Sequence, residues 1–436
     1  MPMTPSYVCV PARILFLILL SGLLPGCALF NRGLERENPP RQTAGEAVET
    51  HRFHLDGQDS VIGGLASVPV QDGDTLLDIA RHFGLGYQHI VEANPGLDAW
   101  VPQPGARAIL PLQFILPDAP RKGVVINLAA MRLYYFADEK PATLSTWPIG
   151  VGREGRSTPV GAMAVESKRE HPTWYVPESI RRAHARQGDP LPAVVPPGPD
   201  NPLGEYALYL SKPSYLIHGT NKPFSIGLRA SNGCIRLYPE DIALAFREIP
   251  PKTPVRVVNQ PYLVGWLDGG LYLEAHRPFD ELDGALEKKN LLAELRRIGK
   301  KQARKLDWPK VEETLKQALG IPTPIFEQSE SLGGRLAAAT PLERPARLAG
   351  WPDTAEPATG DWLLWTAETD DEHGARRLAA QLNHIVPKIP SKVVAKGRRY
   401  RLIAGPFAQE KSARKAKLIL DVDFETKSEL VKPAKS

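Results

Sequence analysis

The chain has 436 residues, more than one hydrophobic core usually organises, so about two to four domains are expected. A hydrophobic fraction of 42% and a charged fraction of 24% fit a globular protein, and 43 prolines point to long connectors. The net charge of +5 is mild and the basic residues are dispersed, which excludes reading a nucleic-acid site from charge.

At the N-terminus Arg13 precedes the apolar run Ile14–Leu20, which continues to Leu24. The run is short for a membrane span and fits the apolar region of a signal peptide. Leu24-Pro25-Gly26-Cys27 follows and resembles a bacterial lipobox. That resemblance implies a signal peptide over 1–26, lipidation of Cys27 and a tether over 27–67, whose polar, Pro-containing stretch is Asn31 to Thr50. Ala28, rather than Asp, follows Cys27, which by resemblance to Gram-negative sorting favours the outer membrane and a periplasmic domain. Of the three cysteines, Cys9 lies in the removed segment and Cys27 is blocked by lipid. Cys234 is then a lone thiol in an oxidising compartment, without a disulfide partner or a second thiolate for a metal.

Residues 68–112 open with a short strand at Val68–Val70 and a turn at Asp72-Gly73-Asp74. A helix follows, with Asp74 or Thr75 at its N-cap and Leu76, Ile79, Ala80 and Phe83 at helical spacing. Gly84 and Gly86 break it, a second helix carries Ile90 and Ala93, and Ala108–Leu110 reads as a closing strand. This βααβ order, with GDTLLDIA, the AN pair and a late PG, resembles a LysM domain, which implies binding to N-acetylglucosamine-containing wall glycan.

Residues 121–260 read as mainly β. VVINLAAMRLYYFA forms two strands around a turn, and ATLSTWPIGVG and TPVGAMAVESKRE continue the pattern. Pro172 to Pro202 is rich in Pro and Gly, as a lid or binding loop is. EYALYLSKPSYLIHGT gives two more strands, and PEDIALAFREI starts a helix with Pro239 early and acids in its first turn. A β-hairpin and helical extension is expected over 261–320, and a linker over 321–359. Over 360–433 the pattern is βαββαβ, a ferredoxin-like order. YRLIAGPF followed by SARKAKLIL resembles a SPOR domain, implying contact with peptidoglycan glycan stripped of stem peptides. The fold class is therefore multidomain α+β, with a mainly-β central domain between the two smaller modules.

Chemistry concentrates in Ser231-Asn232-Gly233-Cys234-Ile235-Arg236-Leu237. A cysteine nucleophile needs a base, oxyanion donors and exposure. His218, ending an apolar strand sixteen residues earlier, is the candidate base. Gly233 permits a sharp turn in which successive N–H groups face one oxygen. Ser231 and Asn232 are candidates to order that turn or to bind a substrate amide. Arg236 shares a side with Cys234 if the segment is extended, and suits a carboxylate.

HGTN, a following IG and SNGCIRLYPEDI, together with upstream TPVG, PTWYVPESI and PPGPDNPLGEYALYL, resemble the L,D-transpeptidase catalytic domain over about residues 121–260. The resemblance implies Cys234 as nucleophile and His218 as base, with Gly219 carbonyl or Thr220 orienting the imidazole. It further implies N–H groups of Gly233 and Cys234 as oxyanion donors, Arg236 as substrate ligand, and no metal or cofactor. The implied reaction is a thioester at the diaminopimelate carbonyl of a stem tetrapeptide, loss of D-Ala, and transfer to an amine. That amine is another diaminopimelate, giving a 3-3 cross-link, or a lysine of a wall-attached lipoprotein. A non-catalytic tether and a hydrolase of the lipoprotein link are the alternatives. Many family members carry His where this chain has Asn232, which implies an altered rate or substrate preference.

Overall fold

The computed structural model describes residues 51–55, 59–138, 142–186, 190–302, 304–350 and 361–432. The expected signal peptide, Cys27 and the tether as far as residue 50 lie outside the described residues, as does 351–360.

Among the described residues the centre is a nine-stranded sheet. Its strands run in the order Arg52–His54, Thr143–Pro148, Arg132–Phe136, Gly123–Asn127, Pro254–Val258, Gly161–Glu170, Tyr206–Leu210, Leu216–His218 and Ile235–Arg236. Most neighbours are antiparallel, but Pro254–Val258 runs parallel to Gly123–Asn127, and Ile235–Arg236 parallel to Leu216–His218. Parallel neighbours need crossovers. The helix Pro239–Glu248 lies in the connection from Ile235–Arg236 to Pro254–Val258, starting on a proline whose missing N–H costs nothing there and carrying Glu240 and Asp241 at its positive end. Its buried Ile242 and Ala245 seal the core against Ile217, Ile235, Val255 and Val257.

The βααβ module forms as Val61–Pro69, Leu76–His82, Tyr87–Ala93 and Arg107–Ile115. Thr75 is the N-cap, accepting from the Asp78 N–H at 3.0 Å. The first strand is longer than expected, pairing from Val61–Ile115 to Pro69–Arg107. Gly63 and Gly64 conceal it in the sequence. Gly63 is needed there, because its φ is +73° and a Cβ would lie 2.0 Å from the Leu112 carbonyl oxygen.

Two expected boundaries are corrected. The tether expected over 27–67 does not run free to its end. Arg52–His54 pairs with Thr143–Ser145, Phe53 is buried, and Val61–Ser67 is sheet. The linker expected over 321–359 is folded as far as residue 350. Thr323–Pro324 extends the Tyr262–Leu267 and Gly270–Ala275 hairpin, and Thr340–Pro341 pairs in parallel with Ala66–Ser67. Leu348 is 1% exposed in the βααβ core. Arg344 lies in a buried ion pair with Asp74, at 3.1 Å from Nε to Oδ2. Neither segment has a period because each is organised by remote partners rather than by its own amphipathic face.

The βααβ module is not a separate bead. Leu76, Ile79, Leu85, Ile90, Leu110 and Leu112 share one apolar cluster with Val125, Tyr134, Phe136 and Leu144 of the large sheet. Helices Gly284–Gln302 and Trp308–Gln317 pack on the hairpin through Leu291, Leu295 and Val311.

The C-terminal module has the βαββαβ order expected, with sheet order Ser391–Lys396, Arg399–Phe407, Trp362–Thr366, Ser428–Val431. Its helix Glu372–His384 meets the βααβ module through Arg376–Asp72 at 2.6 Å, Arg377–Asp98 at 3.0 Å and His384–Asp78 at 3.1 Å.

The Arg344–Asp74 pair generates a prediction. Arg344→Ala strands a carboxylate that is 0% exposed, and should cost about 3–5 kcal/mol in the first urea transition. Arg344→Met combined with Asp74→Asn should recover most of that loss. A single substitution that leaves the midpoint unchanged would show that the pair does not hold the segment.

Candidate active site

Cys234 sits in a turn between the short strand Arg229–Ser231 and Ile235–Arg236. Ser231 builds the turn. Its hydroxyl accepts from the Gly233 N–H at 3.1 Å and donates to the Cys234 carbonyl at 2.6 Å. Gly233 has φ +107°, and a Cβ there would meet the Tyr215 ring at 2.9 Å. Thr158 closes the turn from below, donating to the Gly233 carbonyl at 2.9 Å and accepting from Gly152 at 3.1 Å.

The parallel register decides which side chains share a face. Ile217 pairs with Ile235 and His218 with Arg236. Both isoleucines face the core, so their neighbours turn to the opposite side of the sheet. His218, Arg236 and Cys234, one residue before the strand, therefore share one face. Cys234 is half-buried, and its thiol donates to the Ser214 carbonyl at 3.6 Å rather than to His218. Ser214 itself has φ +71°.

His218 is 4% exposed. Its Nδ1 lies 2.6 Å from the Gly219 carbonyl, and Leu203 offers a second backbone acceptor. A proton on Nδ1 that donates to Gly219 leaves Nε2 as the basic nitrogen. Burial, and next the Arg236 charge, lower the imidazole pKa to about 3, although both carbonyls favour the protonated ring. Burial pushes the Cys234 thiol above its ordinary range, against the opposing help of the Leu216 N–H and Arg236. At rest the thiol and the imidazole are thus both neutral.

Arg236 is half-buried. Its Nη1 has a long contact of 3.4 Å to the Ser225 hydroxyl, and its Nε is buried with no partner. An unpartnered buried donor is unusual, and here it belongs to a guanidinium, the group that matches a carboxylate.

Several sequence expectations are refined. Gly219, not Thr220, orients the imidazole; the Thr220 hydroxyl instead accepts from the Lys222 N–H at 2.9 Å and shapes the following loop. Gly233 does not offer a free oxyanion donor, because its N–H is committed to Ser231. Ser231, 2% exposed, orders the turn and is not placed to meet substrate. Asn232 is exposed, and its Oδ1 accepts from Arg153 at 3.4 Å.

The sequence did not single out Ser214, Thr158 or the Asn201–Gly204 turn. Asn201, 1% exposed, donates to the Pro172, Val195 and Pro196 carbonyls and ties both ends of the Pro-rich excursion beside His218. The signal present was the phrase NPLG closing that excursion. Among the described residues, no group of three or more His, Cys, Asp or Glu side chains could hold a metal ion.

The model of the L,D-transpeptidase catalytic domain matches residues 121–257. The LysM domain matches residues 69–107 and the SPOR domain residues 358–424. In Escherichia coli (strain K12), the protein named Probable L,D-transpeptidase ErfK/SrfK is 45% identical over 222 residues, covering 50% of this chain and 71% of that protein. Probable L,D-transpeptidase YbiS of the same organism is 40% identical over 242 residues, 55% of this chain and 77% of its own. The chain belongs to the L,D-transpeptidase family and is an enzyme acting on peptidoglycan, with its catalytic domain flanked by LysM and SPOR modules.

Proposed function

We propose that the protein joins peptidoglycan stem peptides to an amine through a Cys234 thioester. The observation that carries this reading is the shared face of Cys234, His218 and Arg236, with the imidazole held by Gly219 so that Nε2 is the base. Sγ attacks the diaminopimelate carbonyl of a donor tetrapeptide while its proton passes to Nε2. The Cys234 N–H is the assigned oxyanion donor, since the neighbouring Gly233 N–H is engaged. His218 then protonates the departing D-Ala amine, and the thioester remains. An incoming amine, from a second diaminopimelate or from a lysine of a wall-attached lipoprotein, gives up a proton to Nε2 and takes the acyl group. Arg236 receives a donor carboxylate on its unpartnered guanidinium edge.

The LysM and SPOR modules keep the enzyme on glycan strands, raising its local concentration near stem peptides. A lipid on Cys27 would anchor it at the outer membrane, facing the periplasm.

Cys234→Ala should abolish D-Ala release from disaccharide tetrapeptide and eliminate the acyl-enzyme seen by intact-mass spectrometry. His218→Ala should lower kcat by about 10²- to 10⁴-fold. D-Ala release at the parental rate by Cys234→Ala would sink the mechanism.

The neutral resting pair also sets the pH dependence. His218 is lowered to about 3, so its basic form is present above that pH and activity should show no acid limb from it between about pH 5 and 8. The Cys234 thiol is raised, so its iodoacetamide alkylation rate should keep climbing past pH 9.0. A plateau reached below neutrality would instead indicate a thiolate–imidazolium pair.

A further inference from the structure

The turn between the two LysM helices presses on the loop that carries Ser225, the residue against Arg236. The contact is backbone on backbone. The Tyr87 N–H donates to the Ile226 carbonyl at 2.9 Å. A Cβ on Gly86 would lie 2.7 Å from Gly227 Cα, and one on Gly227, with φ +83°, would lie 2.3 Å from the Tyr87 nitrogen. No side chain fits at either position.

Both sides of this contact are braced. On the LysM side, His89 Nδ1 accepts from the Gly86 N–H at 3.1 Å and its Nε2 donates to the Ala130 carbonyl at 2.6 Å. Arg132 donates to the Gly84 carbonyl at 2.8 Å, Tyr238 to the Leu85 carbonyl at 3.1 Å, and Arg81 binds Glu240 through two bonds of 2.7 and 2.9 Å. On the catalytic side, the Gly227 N–H donates to the Ile149 carbonyl at 3.0 Å. The Ser225 hydroxyl donates to the Lys222 carbonyl at 2.7 Å and faces Arg236 Nη1. The Ser225 carbonyl oxygen comes so near Gly150 that a Cβ there would be at 2.7 Å. The loop Lys222–Leu228 is thus gripped between the LysM turn and the strand beside the nucleophile. It has nowhere to move without moving Ser225.

We infer that the LysM turn Gly86–Tyr87 is a positioning element of the active site, setting through Ile226–Gly227 and Ser225 the orientation in which Arg236 receives the donor carboxylate. This rests on the assignment of Arg236 as the carboxylate ligand. It gives the LysM module a role in donor recognition that does not involve glycan.

Tyr87→Pro isolates the contact. Tyr87 is the first residue of its helix, where proline is tolerated, and Gly86 at φ −94°, ψ 168° already has the backbone that a residue before proline takes. The substitution removes the N–H and puts a ring carbon toward Ile226, whereas Tyr87→Ala keeps the N–H and removes only the side chain. The full chain is assayed with disaccharide tetrapeptide for kcat and KM, with iodoacetamide for the Cys234 alkylation rate, and by thermal melting. Tyr87→Pro should raise donor KM about three- to tenfold with kcat and alkylation rate near the parent, and Tyr87→Ala should leave KM within about twofold. Arg236→Lys, which removes the fork, should raise KM about tenfold or more. Combined with Tyr87→Pro it should raise KM no further, because the two act through one group.

A raised KM in Arg236→Lys beside an unchanged KM in Tyr87→Pro overturns the positioning role alone. An unchanged KM in Arg236→Lys overturns the carboxylate assignment and this inference together. Equal falls in kcat, alkylation rate and melting temperature in Tyr87→Pro would show a merely structural contact and would also overturn it.

Discussion

The parallel pairing of Ile235–Arg236 with Leu216–His218 is the constraint on which the site depends. Two residues of one strand and three of another are enough, because alternation does the sorting. Ile217 and Ile235 go to the core, so their neighbours emerge on the other face. A slip of one residue would bury His218 or Arg236 in the apolar cluster. The core therefore guards the register, and the register guards the chemistry. The helix Pro239–Glu248 follows Ile235–Arg236 in the chain, and it contributes the apolar seal beneath the isoleucines.

The electrostatics follow from the same packing. His218 and Cys234 are covered well enough that charge on either is costly, and Arg236 beside them penalises imidazolium further. The favoured resting state is neutral on both. Arg236 itself is half-covered with an unpartnered buried donor, which carries a desolvation cost.

The modules are joined more intimately than a string of domains. One apolar cluster serves both the LysM helices and the large sheet, and the segment over 321–350 closes back onto that cluster through Leu348 and Arg344. Burying Asp74 with Arg344 ties two parts of the chain separated by 270 residues. The consequence for function is that LysM backbone lies against the loop behind Arg236.

Much was legible in the sequence because it was local. The helical spacing of Leu76, Ile79 and Phe83, the proline-led helix at 239 and the βαββαβ order each depend on near neighbours and turn chemistry. Residue types and a family motif singled out Cys234, His218 and Arg236, and the strand register puts them on one face. What could not be read was decided by remote partners. The strand containing Gly63 and Gly64, the folded stretch after 321, and the Arg344–Asp74 pair have no period of their own. Gly233 is the sharpest case. Its residue type announced a turn at Cys234, and that turn exists. Only the tertiary structure decided that its N–H is spent on Ser231, because one hydroxyl three residues upstream of Cys234 bonds both ends of the turn it begins.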